Sequence, residues 1–216
     1  MITVERLVNE LMSSNCYIVV DEASKHCICI DPASEKSLFE IEYIEKNGLT
    51  LDYIILTHEH TDHTWGVNAL LAYFPKAKTI CSNYCKDALS REAKVYFQLY
   101  YDDPNYEYHV GRIDFTTEDL GMRLKWRQYM IVFIPTPGHS PGSVCIEVDG
   151  MLFSGDTLMP FKPYIKKRSG GSIEEYRSSL LLLKNIFPPE MMVFPGHGDR
   201  MTIANMMVFF SSVLNA

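Results

Sequence analysis

The stretch LDYIILTHEHTDHTWG, residues 51 to 66, constrains the possible folds more than any other part of the chain. Its first seven residues, LDYIILT, are almost continuously apolar, as in a strand covered on both faces. The six positions that follow, 58 to 63, hold three histidines, a glutamate and an aspartate. A buried strand that runs directly into so many nitrogen and oxygen donors calls for a fold in which strand ends meet. Open sheets do this at a crevice outside the carboxyl ends of their strands.

The same pairing of apolar strand and terminal donor recurs. IVFIPTPG leads to His139, MLFSG to Asp156 and MMVFPG to His197. With His58, His60, Asp62 and His63 these make five imidazoles and two carboxylates, gathered from four strand ends. Such a donor set suits zinc, iron or manganese, and the donor types alone leave that choice open. Alternate residues of an extended segment point the same way, so His58 and His60 are placed to grip one ion. Asp62 and His63, at the start of the next helix, are placed to face a second. Glu59 falls between two ligands and is expected to point away, toward solvent or a more distant partner. Glycines in PGHSPG, SGD and PGHG permit sharp backbone turns beside a crowded centre. His26 and His109 lack this setting and read as surface or hydrogen-bonded residues. A purely structural metal site would favour a closed, cysteine-rich tetrahedron instead.

Around this constellation the chain reads as strands in runs with helices interspersed. ITVERLV, NCYIVVD and HCICID read as strands, the last two joined as a hairpin across DEASK. Ser34 is expected to cap a helix carried by Leu38, Ile41 and Ile44 and ended by Gly48. Val67, Leu70, Leu71 and Phe74 form a second helical stripe, stopped by Pro75. KTICS reads as a strand, residues 83 to 100 as a helix, and residues 110 to 134 as short strands. Asp149-Gly150 signals a hairpin between SVCIEV and MLFSGD. Ser172 and Glu175 form a capping box before Ile173, Tyr176, Leu180, Leu183 and Phe187, and Thr202 caps a last helix. Mixed sheets with helices outside, an α/β (α+β) class, fit this order better than strict βαβ alternation.

No linker or repeat divides the sequence, so residues 1 to 216 are expected to form a single domain. At 47% hydrophobic residues the chain can bury a core without disulfides. Its six cysteines include no C-x-x-C pair and are expected to be reduced, structural thiols in a cytoplasmic protein. The net charge of −7 argues against nucleic acid as a partner. No apolar run reaches about eighteen residues, so no membrane span is expected, and the start MITVERLVNELMSSN is too polar for a secretory signal.

The motif H-x-H-x-D-H at 58 to 63, with the later His139, Asp156 and His197, resembles the metallo-β-lactamase superfamily. The resemblance runs from the first strands to about residue 205, nearly the whole chain. ILTHEHTDHTWG, TPGHSPGSVCIEV, LFSGDTL and VFPGHG are similar to the thioester-hydrolase branch that includes hydroxyacylglutathione hydrolases. The resemblance implies a four-layer αββα sandwich with two mixed β-sheets. It implies that His58, His60 and His139 hold one divalent metal ion, that Asp62, His63 and His197 hold a second, and that Asp156 bridges both. It further implies a hydroxide or water shared by the two ions, with zinc expected and iron or manganese compatible. Asp62 is also expected to orient that nucleophile as a catalytic residue.

The expected activity is hydrolysis of a small-molecule thioester or ester. A mononuclear iron persulfide dioxygenase is the alternative from another class, and lactone hydrolysis and phosphodiester cleavage are further ones. Longer hydroxyacylglutathione hydrolases carry a C-terminal helical extension that helps hold glutathione. Here only nineteen residues follow His197, so that holder is not expected. The basic segment KPYIKKRSGG offers Lys166, Lys167 and Arg168 for a substrate carboxylate, and Arg168 is nearest to the family's arginine in this loop. Tyr164 is a candidate proton donor or oxyanion contact. The aromatic stretch YFQLYYDDPNYEY, residues 96 to 108, is a candidate pocket cover.

Overall fold

The computed structural model describes residues 1–9, 12–100, 108–162, 165, 167 and 170–214, with the backbone alone over 94–100. Contacts divide the chain into two compact units, Met1–Thr116 and Thr117–Ala216.

The first unit opens with β1 (Ile2–Val8), β2 (Asn15–Asp21) and β3 (His26–Ile30), paired antiparallel in that order. The DEASK turn forms as expected. Asp21 accepts from the Ala23 N–H (3.2 Å) and the Ser24 hydroxyl (2.7 Å), while Lys25 takes the left-handed φ of 58° that closes the hairpin. Then come β4 (Thr50–Ile55), β5 (Lys78–Cys81) and β6 (Phe115–Thr116), each parallel to the one before, with β4 parallel to β3. Helices α1 (Leu38–Lys46), α2 (Val67–Tyr73) and α3 (Asn83–Tyr100) make the connections that parallel strands require. The sheet order is β1-β2-β3-β4-β5-β6. β2 is buried along its whole length, and neighbouring strands flank it on both edges. One face of the sheet packs Ile18, Val20 and Ile54 against Ile44, Val67 and Leu70 from the helices.

Two details differ from the sequence reading. Ser34 does not cap α1. Its hydroxyl donates to Asn9 Oδ1 (3.3 Å) and its carbonyl accepts from the Ser37 N–H (2.9 Å), so the chain makes one more turn and the helix starts at Leu38. That start leaves Leu38 largely exposed, and the buried stripe rests on Ile41 and Ile44. His26 is hydrogen-bonded as expected, with Nδ1 2.9 Å from Asp52 Oδ1.

The second unit holds β7 (Arg123–Trp126), β8 (Tyr129–Pro135), β9 (Val144–Val148), β10 (Met151–Gly155), β11 (Met192–Pro195) and β12 (Met201–Thr202). Their sheet order is β12-β11-β10-β9-β8-β7, antiparallel except for the parallel pair β10 and β11. Asp149 (φ 51°) and Gly150 (φ 77°) form the two-residue turn between β9 and β10 that their sequence demands. The crossover from β10 to β11 carries α4 (Ile173–Ile186), and α5 (Ile203–Val208) and α6 (Ser211–Leu214) close the chain. Tyr176, Leu180 and Leu183 are the buried stripe of α4. Thr202 caps α5, accepting from the Asn205 N–H at 3.4 Å.

The capping box forms by half. Ser172 Oγ accepts from the Glu175 N–H (3.3 Å), but the Ser172 N–H, which Glu175 would have bound, donates to Gly138 O at 2.9 Å. The start of α4 is thereby fastened to the loop that carries His139. No helix among the described residues is long and apolar enough to cross a membrane.

Candidate metal centre

In the first unit, β3 and β4 run parallel and finish together, with Ile30 opposite Ile55. Asp31 follows the first strand, and Thr57 and His58 follow the second. A short 3₁₀ turn, Thr61–His63, then presents Asp62 and His63, closed by the His63 N–H donating to His60 O at 3.0 Å. His58 Nε2 and His60 Nδ1 stand 3.1 Å apart. Two nitrogens sharing one tetrahedral ion at zinc–nitrogen bond lengths are separated by about 3.3 Å, so this pair already has ion-sharing spacing. His63 Nε2 lies 3.8 Å from Asp62 Oδ2, a second and looser donor pair. His58 and His63 are buried, and Asp62 keeps 13% of its side chain exposed. Glu59, which follows His58 and precedes His60 in sequence, does not face solvent: it is buried.

Asp31 is a buried carboxylate beside these donors that the sequence reading did not single out. Its carboxylate accepts from the Thr57 N–H (2.8 Å), from the Thr57 hydroxyl (2.6 Å) and from His63 Nδ1 (3.0 Å). The signal was present, since Asp31 directly follows the apolar strand HCICI as the other donors follow theirs. Ligand atoms of Asp31, His58 and His63 lie within 4.8 Å of one another. With three donors already on its oxygens, Asp31 is suited to orienting ligands rather than to being one.

In the second unit, His139, Asp156 and His197 come from three loops. β8, β10 and β11 all point the same way, so their carboxyl ends share one edge. Thr136 and Thr157 join the first two loops through a hydroxyl contact of 3.0 Å, and the Gly196 N–H donates to Gly155 O (2.8 Å) to join the second and third. Gly138 is needed where it stands. Its φ is 133°, and a Cβ there would come within 2.3 Å of the Tyr176 backbone. The resulting geometry splits the Asp156 carboxylate: Oδ2 is 3.4 Å from His139 Nε2, and Oδ1 is 3.7 Å from His197 Nε2. One carboxylate thus offers a different oxygen to each of two histidines.

The donors are all imidazole nitrogen and carboxylate oxygen, a set fitted to divalent transition ions. The six cysteines are free and buried, and none joins these clusters. Tyr164, Lys166 and Arg168 lie outside the described residues, as do 101–107 of the aromatic stretch. Tyr108, at its end, donates its hydroxyl to Thr64 O beside the histidine motif.

A family profile described as the metallo-beta-lactamase superfamily matches residues 10–197. The chain belongs to the metallo-β-lactamase superfamily. Members of that superfamily are metal-dependent hydrolases, and this chain is an enzyme of that class. A probable polyketide biosynthesis zinc-dependent hydrolase, BaeB, from Bacillus velezensis is 29% identical over 189 residues, 88% of this chain and 75% of the relative. A hydroxyacylglutathione hydrolase from Aeromonas hydrophila is 28% identical over 190 residues, 88% of this chain but only 63% of the relative. Among solved structures, BLEG-1 B3 metallo-beta-lactamase superposes with a TM-score of 0.84 at 23% identity, over 98% of this chain and 99% of that one. TTHA1623, solved in a di-iron-bound form, gives 0.70 at 22% identity over 93% and 96%. These likenesses establish the metallo-β-lactamase fold, with its two mixed sheets and their helices.

Proposed function

We propose that this metallo-β-lactamase superfamily member is a dinuclear hydrolase of a small thioester or ester. His58, His60 and His139 would hold one divalent ion, Asp62, His63 and His197 a second, and Asp156 would bridge them. The observation that carries this reading is the divided Asp156 carboxylate, one oxygen 3.4 Å from His139 and the other 3.7 Å from His197. The likeness to a hydroxyacylglutathione hydrolase supports the choice of a thioester or ester among hydrolysable bonds. The family profile spans both units, which supports reading them as one working domain.

When bound, such ions supply a water whose pKa falls from about 16 to about 7, and a positive field for the oxyanion that develops on the carbonyl. The protein's own residues do the rest. Asp62, partly exposed, orients the attacking water and accepts its hydrogen bond. Burial of His58 and His63 keeps bulk water from competing at two of the ligating rings, which strengthens every charge interaction there. The leaving group departs as a thiolate or alkoxide.

Zinc is the proposed ion, in line with the zinc-dependent relative, and the di-iron-bound neighbour favours iron as the competing choice. The proposed partner is a small molecule rather than nucleic acid or a membrane surface, in keeping with the net charge of −7, and the proposed location is the cytoplasm.

The test is a chelator-stripped protein, reloaded with zinc or iron and assayed on a panel of acyl thioesters, oxygen esters, lactones and phosphodiesters. The expected result is a loss of at least about a hundredfold on stripping, with recovery on reloading and preference for thioesters or esters. Undiminished turnover by the stripped protein would overturn the metal reading, and activity confined to phosphodiesters would overturn the substrate class.

A further inference from the structure

We infer that the Ser14 hydroxyl, aimed by Asn9, is a positioning group for Asp62: it holds the Asp62 backbone carbonyl and so sets where that residue's carboxylate stands in the proposed second ion site. The inference rests on the ligand assignment above and deepens it.

Proton accounting fixes the direction of the chain of bonds. The Ala33 N–H donates to Asn9 Oδ1 at 3.1 Å, so that end of the amide is the oxygen and the other end can only donate. Asn9 Nδ2 lies 2.9 Å from Ser14 Oγ, which therefore accepts. The single Ser14 proton is left for the Asp62 carbonyl, which has no proton to give, and the hydroxyl donates there. The bonds thus run one way, from the Asn9 amide through the Ser14 hydroxyl to Asp62 O.

Local geometry explains why Asp62 takes a donor from outside its own turn. The turn Thr61–His63 is 3₁₀, with the His63 N–H bound to His60 O at 3.0 Å and the Thr64 N–H to Thr61 O at 3.1 Å. A continuing α-helix would send the Gly66 N–H to Asp62 O. That N–H donates to Pro32 O instead, at 3.0 Å, and the Ser14 hydroxyl stands in its place. Asp62 also has less packing to hold it than its neighbour, with 13% of its side chain exposed against 0% for His63. Its backbone must therefore do more of the positioning.

The support is itself rigid. Asn9 and Ser14 are both buried. The Asn9 amide also donates to Asp31 O (3.3 Å) and accepts from the Ser34 hydroxyl (3.3 Å), so both its ends are engaged twice. The Asn9 N–H donates to Ser14 O at 2.8 Å and closes the turn between β1 and β2. Within that turn Met12 and Ser13 hold left-handed φ angles of 53° and 51°. Such conformations persist where surrounding structure over-determines them, and here they deliver Ser14 to the metal motif.

The experiment compares wild type with Ser14→Ala. One readout is the 13C carbonyl shift of Asp62 in metal-free protein, by NMR. The other is the affinity of each zinc ion, by chelator competition. The expected result is a moved Asp62 carbonyl signal, one of two zinc ions weakened by about tenfold or more, and the other held within about threefold. Should Ser14→Ala fail to fold, Ser14→Cys, close in size and a weak donor, decides in its place.

An unmoved Asp62 carbonyl signal, or wild-type affinity for both ions in a variant that only melts earlier, would overturn the positioning role. Equal weakening of both ions would overturn it too, since the bond reaches Asp62 alone. A wild type that binds no zinc or iron at all would instead defeat the ligand assignment, while the metal-free carbonyl signal would still report on the bond.

Discussion

The first unit takes four of the proposed donors from six consecutive residues, 58 to 63, whereas the second collects three from loops that lie far apart in sequence. The consecutive donors sit close by chain connectivity, and their difficulty is rotation. Asp31 and Thr57 answer it with side-chain hydrogen bonds of 2.6 to 3.0 Å to each other and to the rings. The scattered donors have the opposite difficulty. The parallel ends of β8, β10 and β11 bring the loops together, and backbone ties such as Gly196 N–H to Gly155 O (2.8 Å) hold them there. One half is held by side-chain hydrogen bonds, and the other is placed by backbone ties and close packing. Substitutions should therefore fail in different ways in the two units.

The sharpest expected effect is at Asp156, where both arms of the second unit meet. Asp156→Ala should lower kcat/KM by about a thousandfold or more, roughly 4 kcal/mol of transition-state stabilisation, while thermal unfolding of the metal-free protein changes little. Steady-state kinetics and a melting curve together check this, and near wild-type turnover would remove Asp156 from the centre of the comparison.

Backbone placement in the second unit is tested at Gly138. An alanine there meets the Tyr176 backbone at 2.3 Å and must hold a φ of 133°, so Gly138→Ala should cost about 3 kcal/mol in denaturant unfolding. Gly66→Ala in the first unit should cost less. A Cβ there would meet the Ser37 hydroxyl at 2.3 Å and the Ser34 carbonyl at 2.7 Å, but Gly66 needs no left-handed φ. Equal losses at the two glycines would erase the proposed difference between the halves.

A smaller effect is expected at Tyr176, whose hydroxyl donates to Thr157 O (2.7 Å) beside Asp156. Tyr176→Phe should lose about 1 to 2 kcal/mol, because the Thr157 carbonyl is left buried without that donor. The smallest response is expected from the thiols. Burial pushes the Cys16 and Cys85 thiols well above the usual range and Cys145 up to about 11, so all three stay protonated at pH 8. A disulfide reagent at pH 8 should find no fast-reacting thiol in the native protein and six after unfolding. A rapidly labelled native cysteine would contradict that burial.

Much of this was legible in the sequence because local rules decided it. Asp149-Gly150 can make only a tight hairpin turn, and the apolar run before His58 can only be a covered strand. Where tertiary partners decide, the sequence misleads. Ser34 has the chemistry of a helix cap, but Asn9 engages its hydroxyl. Glu175 matches a capping box, but Gly138 O already holds the Ser172 N–H. Asp31 shows the converse. It obeys the rule that found the other donors, yet in the sequence it reads only as the last residue of the strand HCICID. Its role becomes visible only when β3 and β4 are paired. The proposed donors stand out in the sequence because each follows its strand directly, with no partner needed to explain the pattern.

Metal analysis of protein purified without added metal tests the central claim most directly. The account predicts two divalent ions per chain in the wild type and loss of both in Asp156→Ala. A wild type holding a single iron, or an Asp156→Ala variant that retains two ions, would contradict it.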